Sequence, residues 1–301
     1  MITPQKLFQR AAIVRAVRGF FEERGYLEVD TPLRLPVLAP ELWIVPEFSG
    51  SLFLQTSPEL CMKRLLAAGH ERIFQICHCF RQAERGRLHL PEFQMLEWYQ
   101  AGASYLELMD ECEELLWEVA EVCGLPELLN RSGVKISLEP PWEKLTVAEA
   151  FDRYAGMSPE TALAAGVFEE VLVEKVEPHL GLKQPLFLCD YPAELASLAR
   201  LKPGAPEVAE RFELYVNGIE LANGFSELTD PAEQRQRFAR EREMIVKAGR
   251  DPGPMPEAFL RELANLPEAA GIALGLDRLV MLLAGAATLD EVIAFVPEEL
   301  L

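Results

Sequence analysis

The stretch from residue 74 to residue 100 limits the fold most strictly. It reads FQICHCFRQAERGRLHLPEFQMLEWYQ, which is two runs rich in aromatic and apolar residues separated by the charged segment Gln82–Pro91. The alternation within each run predicts a strand. The connecting segment is much longer than the two to five residues of an ordinary hairpin loop, and long loops inside compact domains are typically functional. The stretch therefore predicts a hairpin with a functional loop.

One face of the second predicted strand is chemically mixed. Successive side chains of a strand point to opposite faces, so one face carries Phe93, Met95, Glu97 and Tyr99, and the other carries Gln94, Leu96 and Trp98. A ring, a carboxylate and a phenol make a poor apolar core. Arg81, at the end of the first strand, offers a planar fork that suits a phosphate. The pattern alone leaves open a surface hairpin with solvated charges.

Composition narrows the class of protein. The chain has 301 residues, is 50% hydrophobic and can bury a sizeable core, as one large domain or two ordinary ones. It contains no apolar run of transmembrane length, and Met1–Arg10 has no signal-peptide pattern. The formal net charge of −19 argues against extensive contact with tRNA or DNA. Local arginines such as Arg85 and Arg87 can still contribute to binding a nucleotide.

The cysteines indicate a reducing compartment. The six cysteines include no CxxC pair, which is typical of free thiols and favours a cytoplasmic location. Cys77, His78 and Cys79 raise the possibility of a zinc site. Because residues 77 and 79 share a strand face and residue 78 points away, an ordinary strand is the better interpretation.

Local signals predict the remaining elements. Four helices are predicted: one from Thr3–Pro4 to Glu23 that ends before Gly25, one with Ser57 as its N-cap and Pro58 as its first residue that runs to Ala68, one over Tyr105–Cys123, and one capped by Asp230–Pro231 that runs to Lys247. A strand is predicted over Pro185–Asp190 and a turn at Asn217–Gly218. Leu274–Leu283 is predicted to pass from a strand into a helix.

Four segments resemble one protein family. FRQAERGRLHLPEFQMLEWY resembles motif 2 of class II aminoacyl-tRNA synthetases of the lysyl branch, and TSPELCMKRLL, GIELANGFSELTD and GIALGLDRLVMLLAG resemble its substrate helix, its lysine-site strand and its motif 3. They occur in family order over most of the chain. Within the branch, the chain is most similar to the short paralogues that modify elongation factor P. The resemblance implies an α+β fold with a mixed, mainly antiparallel sheet flanked by helices.

The resemblance also implies the domain organisation. Residues 1–301 are expected to form one class II synthetase-like catalytic domain, with residues 126–180 as an insertion between motifs 2 and 3. YLEVDTPLRLP resembles motif 1, which forms the dimer interface in this family, so a homodimer is expected. An OB-fold anticodon-binding domain needs about a hundred residues before motif 1, and the chain leaves no room for one.

The implied nucleotide site takes ATP with Mg²⁺. The catalytic residues would be Arg81 at the α-phosphate and Arg278 at the γ-phosphate, with Phe93 stacked on adenine and Gly275 close to the nucleotide. The other residues expected at ATP are Gln82, Ala83, Glu84, His89, Leu90, Glu220 and Leu221. Glu220 and Glu227 would hold Mg²⁺. Their spacing of seven puts them on opposite faces of a regular strand, unless a bend at Asn223–Gly224 brings them together.

The implied substrate is lysine or (R)-β-lysine. Glu59 would hold the amino group next to the carboxylate, and Glu97, Tyr99 and Glu227 would receive the distal ammonium. The other residues expected at the substrate are Ser57, Pro58, Asn223, Phe225 and Ala273. An acid and phenol pair suits a point cation. This favours a lysine-like substrate over aspartate or asparagine.

The implied reaction is ATP-dependent activation of lysine to an adenylate and transfer to a lysine side chain of elongation factor P. Two positions depart from the pattern of the tRNA-charging relatives, since Ala83 replaces a glutamate and Leu90 an asparagine. A truncated lysyl-tRNA synthetase core that charges tRNA is one alternative. A non-enzymatic regulator that retains the fold is the other. The acidic charge disfavours the first, and retention of the site residues disfavours the second.

Overall fold

A computed structural model describes residues 2–125, 127–129, 133 and 135–300 of the chain. The α-helices in the described residues are α1 Pro4–Glu23, α2 Glu59–Ala67, α3 Tyr105–Val122, α4 Val147–Ala150, α5 Pro159–Ala164, α6 Phe168–Val171, α7 Pro231–Lys247, α8 Glu257–Glu262 and α9 Leu276–Leu283. Short π-helical turns cover Phe151–Ala155 and Leu172–Val176, and 3₁₀ turns cover Glu177–His179, Ala193–Leu195, Leu263–Asn265, Leu289–Glu291 and Pro297–Leu300.

The strands in the described residues are β1 Leu27–Glu28, β2 Arg34–Leu35, β3 Phe48–Ser49, β4 Leu52–Leu54, β5 Arg72–Phe80, β6 Glu92–Ala101, β7 Glu127–Leu129, β8 Lys135–Ser137, β9 Glu143–Thr146, β10 Leu186–Pro192, β11 Leu201–Lys202, β12 Ala205–Val216, β13 Ile219–Ser226 and β14 Ala269–Gly275.

One large sheet organises the molecule. Its strand order is β1-β5-β6-β14-β13-β12-β10-β9, with β11 paired to β12. Only its two outer pairs, β1 with β5 and β10 with β9, are parallel. The expected mixed, mainly antiparallel sheet flanked by helices is therefore confirmed. The predicted hairpin is β5–β6, whose register pairs Cys79 with Phe93 and Gln75 with Glu97.

Local chemistry fixes several element ends where the sequence predicted them. The Thr3 hydroxyl accepts a hydrogen bond from the Lys6 amide at the start of α1. Asp230 accepts from two amides of the first turn of α7. The turn between β12 and β13 has positive φ at both Asn217 and Gly218, the conformation that an Asn-Gly hairpin favours.

The start of α2 differs slightly from the prediction. The helix begins at Glu59 and Pro58 is its N-cap residue, so Ser57 lies one position further out than expected. The Ser57 hydroxyl nevertheless accepts a hydrogen bond from the Glu59 amide, at 3.0 Å. It performs the capping role from outside the helix, which leaves its own O–H available to the site described below.

The two faces of the sheet carry different layers. On one face, α1, α3 and α9 form the main apolar core with side chains such as Phe74, Trp98 and Ile272. On the other face, α2, α7 and α8 pack around Met62, Phe238 and Tyr99. The second layer covers only part of its face, and the uncovered part is the cavity described below.

The segment predicted as an insertion joins the large sheet. Strand β9 extends the sheet beside β10, and α4, α5 and α6 pack on that end through a cluster that includes Phe151 and Phe168. Residues 126, 130–132 and 134 of the predicted insertion, and the two terminal residues of the predicted domain, lie outside the described residues. The domain assignment stays a prediction.

Candidate active site

A cavity of about 650 Å³ opens on the partly covered face of the large sheet. Sixteen of the twenty site residues predicted from the sequence line it: Ser57, Glu59, Arg81, Glu84, His89, Leu90, Phe93, Glu97, Tyr99, Glu220, Leu221, Asn223, Phe225, Ala273, Gly275 and Arg278. They come from α2, the β5–β6 hairpin, β13, β14 and α9. The structure thus brings together residues that are up to 221 positions apart. Their individual roles stay predictions.

Four predicted residues do not line the cavity. Pro58 is the N-cap residue of α2, and Glu227 is fully buried behind the wall. The Gln82 amide donates to the Val45 carbonyl, and Ala83 has a φ of 63°, which is uncommon for a residue with a Cβ. The adjacent Glu84 does line the cavity. Glu84 is therefore the carboxylate of this loop that is available to a ligand.

Arg81 holds an incompletely satisfied guanidinium at one end of the cavity. The centre of its guanidinium lies 5.1 Å from the centroid of the Phe93 ring, and its nearest carboxylate contact is Glu84 at 3.9 Å. Its Nε is buried and donates to no group in the described residues. Buried polar groups without partners are uncommon in proteins, and an anionic ligand would complete this one.

Arg278 is held by the long loop and by β13. Its guanidinium donates to the Leu88 carbonyl at 3.3 Å and to the Glu220 carbonyl at 2.6 Å. His89 Nε2 lies 2.8 Å from Arg278 Nη2. Burial lowers the pKa of His89 and the charge of Arg278 lowers it further, so the imidazole is neutral and accepts from the guanidinium. The loop predicted to be functional is therefore bonded directly to Arg278.

The structure does not bring the predicted metal pair, Glu220 and Glu227, together, and its role stays a prediction. Glu220 and Glu227 lie at opposite ends of the β13 segment, roughly 20 Å apart along an extended strand. The carboxylate that accompanies Glu220 is Glu213 on β12. Burial raises the pKa of Glu220 to about 7, and the negative charge of Glu213 is the next largest cause. Both carboxylates line the cavity. Two carboxylates suit Mg²⁺, which takes few protein oxygens and keeps several waters.

A register shift sets the face of β13 on which Glu220 lies relative to the rest of the strand. Tyr215 pairs with Glu220, but Leu214 pairs with Ala222, so Leu221 is an extra residue in β13. This bulge puts Glu220 on the same face as Asn223, whereas a regular strand would separate them. The bend expected at Asn223–Gly224 is not where the irregularity occurs.

The opposite end of the cavity is acidic. Glu97 accepts hydrogen bonds from the Ser57 hydroxyl and from the Tyr99 hydroxyl, each at 2.8 Å. Burial raises the pKa of Glu97 to about 8, and the negative charge of Glu59 raises it further. A cation that enters this end therefore meets a fixed, hydrogen-bonded carboxylate. An ammonium ion would lower that pKa and ionise the acid.

Directly behind this end lies a buried lysine that the sequence analysis did not single out. Lys63 Nζ donates to Glu59 Oε1 at 2.5 Å and forms an ion pair with Glu227 Oε2. Burial raises the pKa of Glu227 to about 8 against the opposing charge of Lys63. Glu227, predicted as a direct ligand of both metal and substrate, is thus placed beside Lys63 and behind the cavity wall.

Gly271 allows this packing. A Cβ at this position would lie 2.2 Å from Tyr99 Cε1 and 2.7 Å from Glu227 Oε1. Real Cβ contacts are never that short, so only glycine lets Tyr99 and Glu227 approach the β14 backbone here. At Gly275 an added Cβ would first meet Arg278 Cδ at 3.4 Å, an ordinary contact. The protein itself therefore does not require glycine at position 275.

Comparisons with known proteins identify the family of the chain. The family model of tRNA synthetases class II (D, K and N) matches residues 3–299. The chain belongs to this family. It is 41% identical over 306 residues to the elongation factor P (R)-β-lysine ligase of Proteus mirabilis (strain HI4320), with 96% of this chain and 94% of the relative covered. It is 42% identical over 308 residues, with the same coverage, to the protein of that name from Pectobacterium carotovorum subsp. carotovorum (strain PC1).

The segments that resemble the family motifs form defined elements of the structure. The β5–β6 hairpin contains the segment that resembles motif 2, and β14 with α9 contains the segment that resembles motif 3. Asp277, the residue before Arg278, accepts from the Gln94 amide at 2.7 Å and pairs with Arg10 of α1 at 2.6 Å. These contacts fasten motif 3 to motif 2 and to the first helix, which fixes the start of α9 beneath the cavity.

Two charged residues of the site, Glu213 and Lys63, were not predicted from the sequence. Glu213 lies two residues before Tyr215 on one face of β12, and Tyr215 pairs with Glu220. The turn at Asn217–Gly218 and this alternation can be recognised in the sequence, and together they place Glu213 diagonally across from Glu220. Lys63 gave a weaker signal, because a lysine four residues after Glu59 usually forms an exposed helix pair. In the part of the chain that the structure describes, no helix is long and apolar enough to cross a membrane.

Proposed function

We propose that this class II synthetase-family protein is an ATP-dependent ligase. It activates lysine or (R)-β-lysine to an aminoacyl-adenylate and transfers the aminoacyl group to a lysine side chain of elongation factor P. The names of the relatives support the acceptor and the β-lysine substrate. The family match over nearly the whole chain supports ATP as the activating substrate.

One observation carries the proposal: a single cavity is lined both by Arg81 and Arg278 and by the acid and phenol pair Glu97 and Tyr99. Arg81 and Arg278 suit the phosphates of ATP, and Glu97 with Tyr99 suits an ammonium group. The substrate carboxylate is thereby directed from the acidic end towards the α-phosphate. This geometry fits a substrate with an ammonium group distant from its carboxylate.

The first step is nucleophilic attack at phosphorus. A carboxylate oxygen of the substrate attacks the α-phosphorus of ATP, the bond from that phosphorus to the bridging oxygen of pyrophosphate breaks, and pyrophosphate leaves. Arg81 stabilises the charge that develops on the α-phosphate oxygens, because its buried Nε is free to donate. Arg278 holds the far end of the triphosphate and orients the leaving group.

The second step is acyl transfer to an amine. The uncharged side-chain amine of the acceptor lysine attacks the carbonyl carbon of the mixed anhydride, the carbon–oxygen bond to phosphate breaks, and AMP leaves. The new amide nitrogen loses one proton to solvent.

Mg²⁺ fits the pair Glu213 and Glu220. Among the described residues no group of three or more His, Cys, Asp or Glu forms a closed metal cage. Two carboxylates at the phosphate end match the coordination of Mg²⁺ by nucleotide phosphates and water. When bound, the ion neutralises charge on the triphosphate. The Glu220 side chain is 41% exposed and lines the cavity, so a hydrated cation can reach it.

The acceptor is tested by direct competition. The protein is incubated with ATP and labelled lysine or (R)-β-lysine, in the presence of elongation factor P and tRNA together at physiological salt. We expect label on elongation factor P and little on tRNA, because a net charge of −19 repels a polyanion. Efficient tRNA charging with none on the protein would favour a truncated lysyl-tRNA synthetase. Absence of pyrophosphate exchange with every lysine isomer would favour a regulator.

A homodimer is proposed as the working form, located in the cytoplasm. Apolar side chains are exposed on α1 and on the edge strand β1, with Phe8 78% and Leu27 52% exposed. Exposed apolar groups on a helix and a free strand edge are typical of a covered interface. Free cysteines such as Cys61 and Cys123 fit a reducing compartment. Sedimentation of the wild type and of Phe8→Glu tests the dimer.

A further inference from the structure

A buried lysine side chain lies directly behind the acidic end of the cavity. Lys63, on α2, is only 2% exposed. Its Nζ lies between Glu59 and Glu227, and 4.9 Å from the centroid of the Phe225 ring. A buried lysine normally loses its charge unless it is paired. Here burial acts to lower the pKa of Lys63, but the charges of Glu227 and Glu59 outweigh burial and raise it. Lys63 is therefore a permanent ammonium beneath the cavity.

The groups around Lys63 come from three elements. Glu59 lies one helical turn before it on α2, Glu227 follows β13, and Glu97 with Tyr99 face it from β6. If all three carboxylates are ionised, three negative charges face one positive charge and two remain uncompensated. Glu59 and Glu97 line the cavity, whereas Glu227 lies behind it with Lys63.

We propose that Lys63 is a positioning residue that neutralises Glu227 and fixes Glu59, so that the cavity presents the charge that two ammonium groups require. The proposal rests on the proposed function, since lysine and β-lysine each carry two ammonium groups. Glu59 keeps its second oxygen for one of them, because only Oε1 is bonded to Lys63. Glu97 faces the other. A monoamino acid would leave one negative charge uncompensated, which is costly in a buried site.

Glu227 shows why the counter-ion is needed. Its side chain has no exposed surface, and its Oε1 accepts no hydrogen bond from any group in the described part of the chain. Without Lys63 its charge would add to those of Glu59 and Glu97. The acids would then hold protons to higher pH, and the ionised state that binds two ammonium groups would form only in more alkaline solution.

The test replaces Lys63 by methionine, which keeps the apolar stem and removes the charge. Pyrophosphate exchange is measured against lysine concentration from pH 6.0 to 8.5. For Lys63→Met we expect kcat/KM for lysine to fall about tenfold at pH 7 and to recover towards pH 8.5, with the profile displaced by about one pH unit. The KM for ATP should stay within about twofold of the wild type, because the phosphate end is untouched.

Two further variants separate charge from structure. The double variant Lys63→Met/Glu59→Gln again has two negative charges without a counter-charge, as the wild type does. The midpoint of its pH profile of kcat/KM should therefore return to the wild-type pH. Lys202→Met is the matched control, because Lys202 pairs with Asp190 outside the cavity. It should leave the profile unchanged. A loss in Lys63→Met that is equal at every pH, or that moves the KM for ATP as well, would overturn the proposal.

Thermal melting covers the case in which Lys63→Met does not fold at pH 7. Charge imbalance predicts that its Tm recovers near pH 5.5, where the carboxylates take up protons, and recovers in the double variant at pH 7. If the Tm stays equally low in Lys63→Met at pH 5.5 and in the double variant at pH 7, Lys63 stabilises the fold by packing and not by its charge. If the wild type shows no exchange with any lysine isomer, the proposed function fails, and the melting comparison still decides the role of Lys63.

Discussion

The two ends of the cavity are prepared for their ligands in different ways. At the acidic end, Glu97 is bonded to Ser57 and Tyr99, and Glu59 is bonded to Lys63. At the phosphate end, the buried Nε of Arg81 donates to no group among the described residues. The acidic end is thus assembled from helix and strand residues before a ligand arrives. The phosphate end, built from the long loop and the start of α9, is completed by the ligand.

This difference predicts how each end responds to mutation. Loss of a phosphate contact should slow the chemical step, because charge develops on phosphate only in the transition state. Loss of an ammonium contact should mainly weaken binding of the amino acid, because its charge is the same before and after activation. The predictions below test this division, from the largest expected effect to the smallest.

Arg278→Ala should lower the rate of pyrophosphate exchange by on the order of a hundredfold or more, equivalent to about 2.7 kcal/mol. The substitution removes the guanidinium that joins the loop, through Leu88 and His89, to β13. Arg85→Ala is the control, since Arg85 is exposed and pairs with Asp290 and Glu298 outside the cavity. Near-normal exchange in Arg278→Ala would remove Arg278 from the mechanism.

Gly271→Ala should raise the KM for lysine by about thirtyfold and leave the KM for ATP within about twofold. The added methyl overlaps Tyr99 Cε1 and approaches Glu227 Oε1, so the phenol must move away from Glu97. Gly19→Ala is the control, because a Cβ there meets no atom within 4 Å. Equal changes in both KM values would show that the two ends are not independent.

Features that depend on neighbouring residues in the chain were predicted from the sequence, and features that depend on tertiary packing were not. The caps at Thr3 and Asp230 and the turn at Asn217–Gly218 depend on neighbouring residues, and all were predicted. The extra residue at Leu221 depends on cross-strand packing, so the face of β13 that carries Glu220 could not be predicted from a regular alternation. Motif spacing identified Glu59, Glu97 and Tyr99 at the acidic end, but it could not reveal that the Lys63 ammonium is buried behind them.

Lysine binding should tighten by about tenfold between pH 6.5 and pH 8.5. Burial raises the pKa values of both Glu97 and Glu227 to about 8, and the substrate ammonium binds the ionised form of Glu97, which lines the cavity. The ε-ammonium of lysine, with a pKa of about 10.4, stays charged over this range. Titration calorimetry measures the dissociation constant. A constant affinity across the range would mean that both acids are already ionised at pH 6.5.

The same acids fix the sign of the pH dependence of stability. Their pKa values in the folded chain exceed the value of 4.5 for an unperturbed Glu, so the folded state holds these protons to higher pH. The free energy of unfolding without substrate should therefore fall as pH rises from about 4.5 to 8. Added lysine should raise the Tm more at pH 8.5 than at pH 6.5, and an equal rise at both would contradict the assignment.

Ala273→Gly should change the choice between lysine isomers by about fivefold, the low end of the roughly 1–3 kcal/mol that one carbon is worth in a close-fitting pocket. Ala273 lies on β14 directly between Glu97 of β6 and Asn223 of β13, and it packs on Cys77, Cys79 and Met95. Its methyl is therefore next to the carboxylate that faces the ammonium. We expect the wild type to disfavour α-lysine relative to (R)-β-lysine and the glycine variant to relax that preference.

The measurement is the ratio of kcat/KM for the two isomers in pyrophosphate exchange, with the KM for ATP as an internal control. Since removal of the methyl leaves both arginines and all carboxylates in place, the ratio should change while the rate with the better isomer changes little. An unchanged ratio would leave the isomer choice to the positions of Glu59 and Glu97 alone.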